Sequence, residues 1–173
     1  MPDTNLQALA EPFPPTDIEW RIGRAGEKNG KIWATCLAYV TNRAIMERLD
    51  ATVGPANWQN KFRPWEIGSP GVMCGLSIRV GDQWVTKWDG AEQPPDRGGQ
   101  SMAVKGGFSG AMKRAAVLWG IGRYLYDLPE GFATISDEGR FYQSASKKGN
   151  EVKVPAFRWS PPDLPKWALP GAK

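Results

Sequence analysis

Segments with the two-residue period of β-strands follow one another in runs, and this order limits the fold more than any other feature of the chain. The pair Asn29-Gly30 is typical of a tight hairpin turn between the first two strands. A helix is predicted from an N-cap at Thr41 to about Thr52, where Gly54-Pro55 ends it. Strands are predicted at residues 18–24, 31–40, 58–67, 72–80 and 83–88.

A second, longer helix is predicted at residues 101–128, after a loop at 90–100, and Pro129 ends it. Strands in runs rather than in alternation with helices indicate an α+β fold. We expect an antiparallel sheet of about five strands packed on the long helix, in the order β-β-α-β-β-β-α, with a C-terminal basic hairpin. The 173 residues are consistent with a single domain (1–173), its core at about 17–128 and the hairpin and tail at 129–173.

The basic excess lies near the C-terminal end. The net charge is +4, and residues 139–160 alone hold five basic residues and one acid, Glu151. The basic residues are Arg140, Lys147, Lys148, Lys153 and Arg158. This stretch is either a solvated hairpin or a surface that contacts an anionic partner through Lys147 and Lys148, and the pattern favours neither.

Several enzyme classes are excluded by residues that the sequence lacks. There is no histidine, which removes Ser-His-Asp and Cys-His catalysis and nearly all zinc sites. There is no GxxxxGK[ST] phosphate loop, and Cys36 and Cys74 do not form a CxxC pair. No signal peptide and no apolar run of membrane-spanning length is evident. We expect a cytoplasmic protein without cofactor, metal or membrane partner.

The long predicted helix carries a basic face. Lys105, Lys113 and Arg123 fall within about 80° of one another around the helix axis, while Arg114 lies on the flank of that face. Such a face is either solvated or binds an anionic partner. The nine tryptophans leave room for rings exposed for stacking. Trp33 and Trp119 are expected in the core, and Trp84 and Trp88 in the core or at a subunit interface.

Three sequence elements, in this order and spacing, resemble the Rad52 family of recombination mediators, which includes bacterial and phage single-strand annealing proteins. They are Tyr39, the segment Gly54-Pro55-Ala56-Asn57-Trp58, and the segment SGAMKRAAVLWG at 109–120. The resemblance covers about residues 17–128. It implies subunits assembled into a ring, with single-stranded DNA in a basic groove and no catalysis.

The resemblance also implies roles for individual residues in DNA binding. Lys113 and Arg114 match basic residues that contact phosphates, Tyr39 matches a groove tyrosine, and Lys105 matches an earlier basic position. The basic residue of the first strand corresponds to Arg21 or Arg24. Val117 stands where the family often has a third basic residue, so either the groove is less charged or another residue, such as Arg123 or Arg43, compensates. A bacterial cytosolic or nucleoid location is implied, with a recombinase or a single-strand-binding protein as a further partner.

Two other functions fit parts of the sequence. Asp137, Glu151 and Lys153 have the spacing of a metal-dependent nuclease that binds Mg²⁺ through two carboxylates. The sheet-then-helix order differs from that nuclease fold. Alternatively, the chain is a structural oligomer whose basic face binds any acidic partner.

Overall fold

The computed structural model describes residues 5–65, 68, 70–92, 100–148 and 151–171, without the side chains of 100–104 and 148. The chain divides into two compact units. The helix-bearing unit comprises Met1–Phe13 and Val40–Tyr124, and the β unit comprises Pro14–Tyr39 and Leu125–Lys173. These are units of packing, so a single domain over residues 1–173 stays a prediction.

Helices and antiparallel sheets together give the mixed architecture that the sequence predicts. The described residues form the helices α1 (Asn42–Val53) and α2 (Gln100–Leu118). In chain order the strands are β1 (Ile18–Lys28), β2 (Lys31–Val40), β3 (Trp58–Pro64), β4 (Gly71–Val80), β5 (Gln83–Glu92), β6 (Gly131–Phe132), β7 (Thr134–Ile135), β8 (Phe141–Gln143), β9 (Ser146–Lys148), β10 (Glu151–Val154) and β11 (Phe157–Ser160). Short 3-10 segments lie at Leu6–Ala10, Pro15–Asp17, Arg123–Asp127 and Lys166–Ala168.

The first hairpin and α1 are found where local signals predict them. Asn29 and Gly30 both have positive φ, at 53° and 72°, as the tight turn between β1 and β2 requires. The Thr41 hydroxyl accepts a hydrogen bond from the backbone N–H of Ala44 at 3.2 Å and caps α1. Gly54, with φ 86°, ends the helix. These predictions are confirmed.

In the helix-bearing unit, β3, β4 and β5 form an antiparallel sheet in that order. In β4, Val72, Cys74, Leu76 and Ile78 are buried on one side of the sheet, and Gly75 and Ser77 are buried on the other. Helix α2 lies against the sheet, with the Phe62 and Phe108 rings edge to face at 4.7 Å between centroids. The helix residues buried in this contact region are Ala111, Met112, Ala115 and Ala116. The three alanines among them are small and let the helix lie close to the sheet.

Helix α2 ends ten residues earlier than predicted, at Leu118. Gly120 and Gly122 follow with φ of 95° and 71°, which are left-handed values that end an α-helix. A Cβ on Gly122 would also lie 2.6 Å from the Val40 side chain. The prediction of a helix to residue 128 is therefore wrong, and a 3-10 segment occupies 123–127. No helix in the described part of the chain has the length and apolar character needed to cross a membrane.

The β unit contains three small sheets, β1-β2-β6, β7-β11-β8 and β10-β9. The described pairing thus differs from one sheet of about five strands, because β2 pairs with β6 while β3, β4 and β5 pair among themselves. Residue periodicity identifies a strand but not its partner. The core of this unit is built from Ala34, Cys36, Val154, Phe157 and Trp159.

Two tryptophans and a loop depart from the predicted positions. Trp33 is 39 % exposed rather than in the core, and its indole lies over Gly26, while Trp119 is half-buried. Trp84 is exposed and therefore not in the core, so a subunit interface stays a prediction for it. Strand β5 continues to Glu92, so the predicted loop begins later than residue 90, and its residues 93–99 lie outside the described chain.

The segment before β1 is held on α1 by one arginine. The Arg48 guanidinium donates hydrogen bonds to the carbonyls of Ala8 and Glu11, at 3.0 and 2.8 Å, and to that of Pro12. It also lies 4.0 Å from the centre of the Phe13 ring. Leu9 and Phe13 are almost fully buried, at 0 % and 2 % exposure. This segment therefore belongs to the core of the helix-bearing unit.

Candidate nucleic-acid interface

The predicted DNA-binding residues are distributed over both units. The helix-bearing unit holds Arg43, Lys105, Lys113, Arg114 and Arg123. The β unit holds Arg21, Arg24, Tyr39, Lys147 and Lys148.

The start of α1 meets the basic face of α2. Lys105, Ser109 and Lys113 are four residues apart along α2 and therefore lie on one face. The Asn42 side chain, in the first turn of α1, donates a hydrogen bond to the Ser109 hydroxyl at 3.0 Å. Arg43 follows Asn42 and is exposed, as is Lys105, whereas Lys113 is half-buried. The positive end of the α1 dipole adds to the cations of this junction, and both favour an anion.

Arg114 lies on the flank of α2 and is paired with an acid on the sheet. Its Nε is 3.0 Å from Oδ1 of Asp89 in β5. The same carboxylate oxygen accepts the backbone N–H of Gly90 at 2.7 Å. The side chains of Arg114 and Asp89 are 54 % and 25 % exposed. A phosphate that binds Arg114 therefore competes with this carboxylate.

Asp89 was not among the predicted site residues. The alternation of β5 places Lys87 and Asp89 on the side opposite Trp88, which the sequence already indicates. That this side faces α2 is a tertiary contact, which periodicity does not specify.

Arg123 does not extend the basic face of α2, because the helix has already ended. Its Nε donates to the carbonyl of Val117 and its Nη2 to that of Leu118, both at 2.9 Å. Lys87 reaches the same Leu118 carbonyl at 2.9 Å and lies over the Trp119 ring, 4.2 Å from its centre. The two cations thus satisfy the last carbonyls of α2. The predicted common face of Arg123 with Lys105 and Lys113 is wrong.

In the β unit, Arg21 and Tyr39 lie together. The Arg21 guanidinium is 5.7 Å from the centre of the Tyr39 ring and is also bound to Glu19. Arg24 forms an ion pair with Glu130, with 2.8 Å between Nη2 and Oε1. Of the two candidates for the first-strand cation, Arg21 is the one that the structure brings to the tyrosine.

The basic stretch 139–160 contains the paired strands β9 and β10. Lys147 is exposed and lies opposite Val152 in the ladder, while the side chain of Lys148 lies outside the described residues. The Lys153 Nζ is 2.7 Å from Oε1 of Glu151. The Arg158 Nε donates to the carbonyl of Gly139 at 3.0 Å. Lys153 and Arg158 are therefore bound within the unit, and the Arg140 guanidinium lies 5.2 Å from the centre of the Phe141 ring.

The acids of the nuclease hypothesis gain no support from the geometry. Glu151 pairs with Lys153, and Asp137 is exposed. The part of the chain that the structure describes contains no group of three or more His, Cys, Asp or Glu placed to hold a metal ion.

Comparison with known proteins agrees with the resemblance of the motifs. Residues 3–142 match the family described as Rad52/22 family double-strand break repair protein. The single-stranded DNA-binding protein DdrA of Deinococcus radiodurans is 34 % identical over 162 residues, which are 94 % of this chain and 66 % of that protein. DdrA of Deinococcus deserti is 32 % identical over 162 residues, with 94 % and 68 % coverage. The chain thus spans slightly less than two thirds of the Deinococcus radiodurans protein. No solved structure gives a significant match. Because the family match covers most of its length, the chain belongs to the Rad52/22 family of double-strand break repair proteins.

Proposed function

We propose that this chain binds single-stranded DNA and anneals complementary strands without ATP, as an oligomeric ring acting in homologous recombination and DNA repair. The observation that carries the proposal is the cationic junction of the two helices. Lys105 and Lys113 flank Ser109 on α2, Asn42 joins α1 to that face, and Arg43, the next residue of α1, is exposed. Membership of a repair family, and relatives described as single-stranded DNA-binding proteins, favour the same function.

The mechanism needs no bond to form or break. Lysine and arginine side chains hold phosphates without reading sequence, so the base edges of a bound strand stay available for pairing. A ring repeats this surface in every subunit and presents a strand over many nucleotides. Two complementary strands then pair at positions where the protein has kept them extended. The chain acts as a scaffold rather than as an enzyme, and the chemistry requires no cofactor.

Other predicted residues also bind DNA in the proposal. Arg114 binds a phosphate after exchanging its Asp89 partner. Tyr39 offers a stacking ring, with Arg21 beside it. Arg24 and Arg123 are the remaining candidates; Arg24 is paired with Glu130, and Arg123 is bound to carbonyls at the end of α2.

The basic hairpin has a separate role in this proposal. Lys147 and Lys148 form an outer surface that captures duplex or a second strand. Replacing both by alanine is expected to lower the annealing rate more than the affinity for one strand. The protein would act in the bacterial cytosol or nucleoid, with a recombinase or a single-strand-binding protein as partner.

The decisive experiment is annealing of complementary oligonucleotides without ATP. The double variant Lys113→Ala/Arg114→Ala is expected to lose most annealing and to bind a single strand more weakly. Its salt dependence, the slope of log K against log salt, is expected to fall by about 0.7 for each phosphate that the variant no longer neutralises. Lys28→Ala/Lys31→Ala removes the same charge from exposed positions beside the Asn29-Gly30 turn and serves as the control.

Three outcomes would contradict the proposal. Normal annealing by Lys113→Ala/Arg114→Ala would show that these α2 residues do not contribute to DNA binding. Degradation of DNA on addition of Mg²⁺, abolished by Glu151→Ala, would establish the nuclease instead. Equal affinity for single strands and for duplex of the same charge would point to a generic basic face.

A further inference from the structure

The side of the β3-β4-β5 sheet opposite α2 presents indole rings and cations together. Helix α2 contacts Asn60 and Phe62 of β3, and Lys87 and Asp89 of β5 face it as well. The alternate residues of the same strands lie on the other side. We call this side the tryptophan face, formed by Lys61, Arg63, Trp65, Arg79, Trp84 and Trp88.

Two of the indoles lie flat on the sheet because glycines leave room beneath them. A Cβ on Gly75 would meet three ring atoms of Trp88 at 2.6 to 2.8 Å, so the ring covers that position. A Cβ on Gly90 would overlap the Trp65 ring. Trp65 and Trp84 are nevertheless exposed, and Trp88 is half-buried. The rings therefore form a platform on the sheet and do not fill a core.

The cations of the face lie among the rings. The Arg63 guanidinium is 4.5 Å from the centre of the Trp88 ring, which it reaches across β4 above Gly75. Lys61 is exposed, and Arg79 is half-buried, 3.7 Å from a fully exposed Asp82. Glu92 is the acidic residue of β5 on this side, at the end of the strand opposite Gly71. The face is thus positive as well as aromatic.

We infer that the tryptophan face is a second contact for single-stranded DNA, which binds bases by stacking on the indoles and phosphates through Lys61, Arg63 and Arg79. The inference rests on the proposed function and adds a site on the opposite side of the sheet from α2. Charge complementarity identifies DNA as the partner. The three cations beside the rings can pair with phosphates, whereas an apolar protein surface would offer them no anion. Duplex DNA is a poorer fit, because the faces of its bases are covered by their neighbours.

The same face could instead be covered by a second copy of this chain. A subunit contact would bury Trp84 on assembly, and its removal would change the size of the assembly. The two uses are therefore separable by measuring binding and mass on the same variant.

The experiment compares two oligonucleotide probes of equal length and charge, an oligo-dT strand and its abasic counterpart, by fluorescence anisotropy. Lys61→Ala/Trp84→Ala is the test variant. Lys166→Ala/Trp167→Ala is its matched control, because it also removes one lysine and one tryptophan, and Trp84 and Trp167 are both 46 % exposed. The test variant is expected to bind oligo-dT at least about five-fold more weakly, with a smaller loss for the abasic probe. Trp84→Phe, which keeps a ring, is expected to retain most of the affinity.

Three results would overturn the inference. Affinity of Lys61→Ala/Trp84→Ala for oligo-dT equal to that of the control would remove the face from DNA binding. Equal losses of affinity for oligo-dT and for the abasic probe would show that the indoles do not stack on bases. A changed mass by light scattering would assign the face to subunit contact. If the unmodified chain itself bound neither probe, the proposed function would fail along with this inference, whereas normal binding with an unaffected variant would overturn the inference alone.

Discussion

The ion pair between Arg114 and Asp89 holds a cation that the proposed function needs for DNA. The substitution Asp89→Asn removes the negative charge and keeps the oxygen that accepts the Gly90 N–H at 2.7 Å. The local backbone should therefore stay in place. We expect Asp89→Asn to bind single-stranded DNA more tightly than the unmodified chain.

The size of the gain follows from the geometry of the pair. Its atoms are 3.0 Å apart, and the side chains are 54 % and 25 % exposed, so solvent screens the attraction. Pairs of this kind contribute about 0.2–1 kcal/mol. Releasing Arg114 from such a partner is worth at most about a five-fold gain in affinity per site. If the released guanidinium then neutralises one more phosphate, the salt dependence steepens by about 0.7.

The assay is anisotropy of a labelled single strand across a salt series, with Glu27→Gln as a control for the change in net charge. Thermal unfolding is expected to stay close to that of the unmodified chain. An Asp89→Asn variant with unchanged affinity and unchanged salt dependence would refute the argument that Asp89 competes with phosphate for Arg114. If Glu27→Gln raised the affinity for the single strand by the same factor, the effect would come from the change in net charge alone.

Three further predictions concern stability and reactivity. Thr41→Ala is expected to lower the free energy of unfolding by about 1 kcal/mol through loss of the α1 cap, and Thr41→Ser to restore it, in urea denaturation. Gly122→Ala is expected to destabilise the chain by about 1–3 kcal/mol more than Gly81→Ala. Both glycines have positive φ, but only at Gly122 would the added Cβ lie within 3 Å of a neighbour, the Val40 side chain. Equal losses of unfolding free energy in the two variants would show that the contact with Val40 costs nothing. Burial raises the pKa of the Cys74 thiol from 9.0 to about 11, so it should resist a thiol reagent at pH 8 until the chain unfolds, and prompt labelling would contradict this. Because the unfolded thiol ionises first, this group's contribution to stability is complete below pH 9 and declines as the pH rises toward 11.

The elements that the sequence predicts well are those with local signals. The Asn29-Gly30 turn and the caps of α1, at Thr41 and Gly54, are determined by residues within a few positions of the structure they specify. The end of α2 differs from its prediction for the opposite reason. Gly120 and Gly122 lie inside the segment predicted as helix, but in the fold their φ angles are left-handed. Only their contacts distinguish a glycine inside a helix from one that ends it.

The sequence predicts the residues of the candidate site better than the side chains that these residues contact. Lys105 and Lys113 share a face through helical geometry alone, and this holds wherever the helix packs. That Asn42 would meet Ser109, or that Asp89 would meet Arg114, depends on tertiary packing between segments distant in sequence. The same holds for the tryptophans. Composition shows that rings are abundant, whereas which side of a sheet is covered decides that Trp84 is exposed.

The anchoring of the N-terminal segment by Arg48 matters for any shortened version of the protein. A chain that begins after Phe13 would uncover the surface of α1 on which Leu9 packs, and would leave the guanidinium without its three carbonyl acceptors. Bare apolar surface of this kind promotes self-association. The particle size of such a truncated chain would then reflect non-specific self-association through the exposed α1 surface. The native assembly is therefore to be measured on a chain that keeps this segment.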